Sequence, residues 1–396
     1  MIGAGIFAAA GPAAQAAGSG LLLGVLVAGL IAFLNATTMA QLAAIYPESG
    51  GAYVYGRKRL GEFWGFLAGW GFVIGKLASC TAMALTFGYY ANPEYAKPIA
   101  ITAVIVLMIT NYLGIKKTAF VTRILVVLVL SALAIVAFAA LAGGNASFSR
   151  LTEGGISGGI GGVLEAAALM FFAFAGYARI ATLGEEVIEP RKTIPKAIIL
   201  ALAMTLIIYL LIIGSAVLTV DIDQLANSKA PLLLAVQSGS FAYLSPFVRF
   251  GACCASLGVL LSLMAGISRT VFSMSANSDL PHFFSAVHPE HKVPYRAELA
   301  VGMIIVTVVG FADLRGAIGF SSFAILIYYS IANISSLKLS KEERLWPKFM
   351  SALGLLGCLV VAFSLPMTSL VGGLTLFGMG AIVFAMTHYF QRRPGM

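Results

Sequence analysis

The chain has 396 residues, of which 60% are apolar and only 10% charged, and its mean hydropathy is +0.95. A soluble domain carries about 25% charged residues, so this composition excludes that class and predicts a polytopic helical membrane protein. The formal charge of +9 reads as the Lys/Arg excess of cytoplasmic loops and not as a nucleic-acid footprint.

Twelve apolar segments follow one another along the chain. The first, Met1 to Ala17, is short and glycine-rich, and the next four cover 20–45, 63–91, 97–113 and 120–142. After a polar, glycine-rich connection come 159–188, 194–219 and 243–277, and then 297–312, 316–337, 347–366 and 369–390. A span needs about 20 apolar residues, so the first segment and 297–312 are marginal by length. Assigning connections alternately to two sides places 18 of the 25 basic residues on one side and 5 on the other, with Lys76 and Arg179 inside helices. The basic side is expected to be cytoplasmic, with both termini there, and the plasma membrane is the expected location.

Two segments look built to break. One carries IGAGIF (Ile2–Phe7). The other carries FFAFAGYARIATLGEE (Phe171–Glu186), with Gly176 near mid-span. They are the first and sixth segments, the spacing of a five-plus-five inverted repeat. That organisation predicts one transporter domain, with a first repeat over about 1–142, a second over about 159–337, and two added helices over 347–390. An interrupted helix survives in a bilayer only beside protein or a water-filled cavity. Open N–H groups of Ala4, Gly5 and Ile6 at the first break suit a carboxylate. Carbonyls near Phe172, Phe174 and Ala175 at the second suit an ammonium, and an α-amino acid carries both groups. Glycine also marks close packing of membrane helices; two breaks at corresponding positions favour a binding site.

Four motifs carry a family resemblance: IGAGIF, YPESGGAYVYGRKRLGEFWGFLAGW (Tyr46–Trp70), FFAFAGYARIATLGEEVIEPRKTIPKAI (Phe171–Ile198) and GISRTVFSMSANSDLPHFFSAVHPEHKVPYRA (Gly266–Ala297). With them the chain resembles the amino acid–polyamine–organocation superfamily, the amino acid permeases with the leucine-transporter fold. The resemblance implies an all-α, twelve-helix fold and proton-coupled or exchange transport of amino acids, with segments 1, 3, 6, 8 and 10 lining the path. It implies carboxylate-binding amides at Ala4 and Gly5, an aromatic gate at Phe172 and an amine-binding carbonyl at Ala175. Relatives carry an inner half-helix before the first motif. Met1 is therefore expected to be an internal methionine or a misassigned start, with roughly ten more residues needed to reach the cytoplasmic surface.

Lys76 lies roughly 21 Å into the third segment, near mid-bilayer. An ionisable group there is a functional candidate. Many proton-coupled relatives carry a lysine in the fifth segment where this chain has Val129, so Lys76 is a candidate for coupling. Its structural alternatives are a pair with Glu165 or bonds to backbone carbonyls. Arg179 is a gating candidate, or a partner of Glu185 or Glu186.

Other signals are discounted. Gly155–Gly159 fits GxSxG but follows no strand. His282, His288 and His291 share one connection without a third-ligand geometry, so no metal is expected. The stretch PESGGAYVYGRKRLG suits a gate or surface helix. No acid, His or Cys constellation sits within the spans, so no enzyme chemistry, cofactor or nucleic acid is expected. The expected partners are an amino acid, protons and the bilayer. Small side chains at the breaks lean towards a neutral substrate. An exchanger, or a receptor or subunit without flux of its own, remains the alternative.

Overall fold

The computed structural model describes residues 2–48, 50–114, 119–152, 155–177 and 189–391. The chain is an integral multi-pass membrane protein built from helices. Those matching the predicted segments are α1 (Gly5–Ala17), α2 (Leu21–Ile45), α4 (Glu62–Ala91), α5 (Ala96–Tyr112), α6 (Ala119–Ala142), α7 (Gly159–Phe174), α8 (Pro190–Thr219), α11 (Ser245–Ala276), α12 (Tyr295–Phe311), α13 (Leu314–Leu337), α14 (Lys348–Phe363) and α15 (Met367–Gln391). Three short helices complete the set: α3 (Ala52–Leu60), α9 (Ile222–Asn227) and α10 (Pro231–Gln237).

The short helices are where periodicity and length say least. Helix α3 is the predicted gate or surface helix, but it buries Tyr53 and Tyr55. Helices α9 and α10 lie in a connection for which no helix was expected. Asp221 starts α9 by accepting from the Asp223 N–H at 2.9 Å, and Pro231 opens α10 where its missing N–H removes no helical bond. Both pack against α1.

Burial sorts the long helices. Helices α4 and α13 pack against each other through the centre and are mostly buried, whereas α15 is mostly exposed. Large apolar side chains such as Leu30, Phe120, Ile207 and Phe311 point outward. In water this would be a liability; in lipid it is the solvated face. A buried polar seam joins α2, α13 and α14. The Thr38 hydroxyl donates to Asn333 Oδ1 at 2.8 Å, Asn333 Nδ2 donates to Asn35 Oδ1 at 2.6 Å, and Thr38 and Ser351 hydroxyls meet at 3.1 Å. Helices in lipid lack a hydrophobic drive to associate, so such bonds fix which faces meet.

The two ends of the bundle are held by different charges. At one end Arg57 pairs with Asp279 at 2.7 Å and Arg59 with Glu343. At the other, Lys97 donates to the Gly310 carbonyl, Arg249 to the Tyr90 carbonyl, Arg150 to the Thr219 carbonyl, and Arg315 pairs with Glu165 at 2.6 Å.

Candidate functional site

Helix α1 begins at Gly5, after non-helical Ile2–Ala4. The Phe7 N–H turns back to the Ala4 carbonyl at 3.0 Å, and no side chain caps the helix. The N–H groups of Ala4, Gly5 and Ile6 therefore precede the first carbonyl that the helix offers. All three residues are buried.

Helix α7 stops at Phe174. The Ala175 N–H closes the last turn on the Phe171 carbonyl, and a 3-10 turn follows over Ala175–Tyr177. The carbonyls from Phe172 onward belong to the end of the helix, where acceptors outnumber donors. The 3-10 turn takes up part of them, and the Tyr209 hydroxyl of α8 donates to the Ala173 carbonyl at 3.0 Å. Phe172 is 8% exposed, Phe174 and Ala175 are buried, and Gly176 is exposed in this otherwise buried stretch.

The two helix ends meet. A β-carbon built on Gly5 would lie 2.6 Å from Ala173 Cα. Gly5 thus has a packing reason as well as an electrostatic one, because any larger residue would push the two ends apart. Phe7 lies edge-on to Tyr90 of α4 (5.6 Å), whose hydroxyl donates to the Phe7 carbonyl at 3.2 Å. Tyr209 and Tyr90, which position the backbone on both sides, were not among the predicted site residues. A tyrosine inside an apolar run carries no signal until its hydroxyl's partner is known.

Lys76 is 8% exposed on α4. Its neighbours on α4 pack against α13: a β-carbon on Gly75 would lie 2.8 Å from Ala324, and the Ser79 and Ser321 hydroxyls meet at 2.6 Å. Glu165, the acid considered for Lys76, is engaged instead by Arg315, which also reaches Gln15 of α1. Arg315 therefore ties α13 to both α1 and α7. Val129 is buried on α6. Arg179, Glu185 and Glu186 lie outside the described residues.

The glycine-rich connection before α7 clasps the end of α1. Ser157 N–H donates to the Ala17 carbonyl and Ser19 N–H to the Gly155 carbonyl, both at 3.1 Å, with Gly18 at φ 57°. That geometry gives Ser157 a backbone-pinning place. Among the described residues no group of three or more metal-ligating side chains exists. His288 and His291 stack on each other at 4.5 Å between Tyr112 and Tyr295.

Comparison with known proteins agrees with this architecture. Residues 1–388 match the profile of the amino acid permease family. An uncharacterized transporter of Mycobacterium tuberculosis is 50% identical over 393 residues, spanning 99% of this chain and 89% of the relative. The branched-chain amino acid permease BcaP of Bacillus subtilis is 28% identical over 97% of this chain and 89% of its own length. The methylthioribose transporter of the same bacterium is 29% identical over 87% of this chain and 78% of its own.

Proposed function

The chain belongs to the amino acid permease family, and on that premise we propose that it moves an α-amino acid by alternating access, coupled to protons, across the plasma membrane with its basic loops and both termini cytoplasmic. The observation that carries the reading is the meeting of the two helix ends at Gly5 and Ala173. One end offers N–H groups and the other carbonyls, 13 and 16 residues respectively of helix dipole standing behind them. An amino acid is a zwitterion with the complementary charges at a fixed short spacing. Ala4, Gly5 and Ile6 would hold the carboxylate, and Phe172, Phe174, Ala175 and Gly176 would frame the ammonium.

The Arg315 tie supports alternating access. It joins α13 to Gln15 on α1 and Glu165 on α7, beyond the breaks at one end only, so releasing it would open that end alone. Lys76 is the proposed coupling residue. It is a buried ionisable side chain within a membrane-spanning helix, the kind of group that marks an ion or proton pathway.

The test is uptake of labelled amino acids into proteoliposomes, with and without an inward acid gradient. Accumulation is expected only with the gradient, and an α-amino acid methyl ester or the corresponding acid lacking its amine should compete at least about tenfold more weakly, since each deletes one charged contact. Competition by the ester as strong as by the free acid overturns the carboxylate site. Gradient-independent counterflow alone would make the protein an exchanger. Methylthioribose belongs in the panel because a relative is named for it; its accumulation in place of every amino acid would overturn the zwitterion reading.

A further inference from the structure

The deeply buried tyrosines divide into two groups. Tyr53, Tyr90, Tyr209 and Tyr328 each spend the hydroxyl on a partner: Asp279, the Phe7 carbonyl, the Ala173 carbonyl and the Ala52 N–H. Tyr55, Tyr177 and Tyr329 make no hydrogen bond of good geometry through the hydroxyl among the described residues, although the Tyr177 and Tyr329 hydroxyls lie near each other. Tyr177 and Tyr329 stand out further. Tyr177 ends the turn directly after the α7 break, and Tyr329 of α13 stacks on it with centroids 5.2 Å apart and planes 24° from parallel. Phe171 and Tyr328 pack edge-on against Tyr329, which fixes its ring. Gly176, the neighbour of Tyr177, is exposed in this otherwise buried stretch.

Two rigid phenols with unspent hydroxyls at membrane depth are a strained economy unless something polar visits them. We propose that the Tyr177 and Tyr329 hydroxyls are the side-chain subsite of the transported amino acid, and that this side chain is neutral and hydrogen-bonding, a hydroxyl or a carboxamide. The inference rests on the amino acid transport reading and names the substrate class for it. Phenols donate and accept, which matches hydroxyl and amide groups. They supply no counter-charge, and a charged side chain at this depth needs one in contact. The acids Glu165, Asp279 and Glu298 are engaged by Arg315, by Arg57 with Tyr53, and by Asn111. A purely hydrocarbon side chain would leave both hydroxyls unpaired, the arrangement by which polar sites reject apolar analogues.

The experiment uses the full chain in proteoliposomes with labelled serine, threonine, asparagine, glutamine, leucine, lysine and glutamate. The variants Tyr177→Phe and Tyr329→Phe, singly and together, delete only the hydroxyls and keep the stacked rings. Wild type is expected to take up a hydroxyl or amide substrate at least about tenfold faster than leucine, and the double variant to lose that preference, with leucine uptake rising relative to the polar substrate. Wild-type preference for leucine, lysine or glutamate overturns the inference. So does a preference that survives both substitutions, which would mean that water alone meets these hydroxyls. Failure of wild type to take up any amino acid would instead overturn the transport reading, and this inference with it.

Discussion

Gly5 shows how one residue can serve two demands. It leaves N–H groups open at the start of α1, and its missing β-carbon lets Ala173 come close. Gly5→Ala is therefore expected to lower thermal stability by about 1–3 kcal/mol, the usual penalty of overpacking, together with loss of uptake. Unchanged melting of the purified variant in detergent would show that the contact with Ala173 yields freely. Lys76→Met keeps bulk and removes charge. It is expected to reduce accumulation driven by a pH gradient at least about tenfold while leaving counterflow intact, because a group that titrates during the cycle is needed for coupling and not for exchange. Gradient-driven accumulation at the wild-type level would make Lys76 a packing residue.

Elements add what residues lack: leverage. Arg315 stands at the start of α13 and reaches α1 and α7 together. Glu165→Gln should weaken the tie without changing shape. In a background with the native cysteines replaced, the variant is expected to speed labelling of Ala168→Cys, one turn below Glu165, by about fivefold, the size of a partly exposed ion pair. Equal labelling rates with and without Glu165→Gln would mean that the pair does not hold that end shut. At the opposite end Arg57 and Tyr53 of α3 both bond the buried carboxylate of Asp279, and Glu62 joins Arg57 at 3.3 Å. Burial and the neighbouring Asp279 push the Tyr53 phenol well up, so it stays a donor throughout the ordinary pH range. These bonds make α3 a fixed part of the wall beside α4 and α13 and not a loose surface helix.

At the scale of the molecule, one end carries an ion pair that makes stability depend on acid. The Arg59 guanidinium holds the Glu343 carboxyl below its ordinary value, and the pair links α3 to the connection between α13 and α14. A carboxyl depressed in the folded state contributes stability fully above its unfolded value, about 4.3, and loses it as pH falls through the folded value. Glu343→Gln should thus lower Tm by a fixed amount at neutral pH, and the gap from wild type should close in the acid range. A gap that persists undiminished at pH 3 would assign the effect to packing of the side chain.

The sequence by itself determined the class and the count: twelve apolar stretches, their order, the sorting of basic residues between two ends, and the two places where helix gives way. Each is written in local terms, as runs of apolar residues, charge between runs, and glycine within a run. Most helix ends followed to within a few residues for the same reason, whereas α7 stops at Phe174 and the rest of the predicted 159–188 segment lies largely outside the described residues; the family motifs covered nearly the whole length. What the tertiary structure alone decided is which groups face each other. Glu165 was a candidate for Lys76 and belongs to Arg315, 150 residues away, because only the packing of α7 on α13 sets that distance. The helices α9 and α10 escaped notice because six or seven residues show too little periodicity. Tyr177, Tyr209 and Tyr329 look alike as letters in apolar runs; a hydroxyl's partner is a property of the neighbouring helix, so folding alone separates the one that steadies a carbonyl from the two left open.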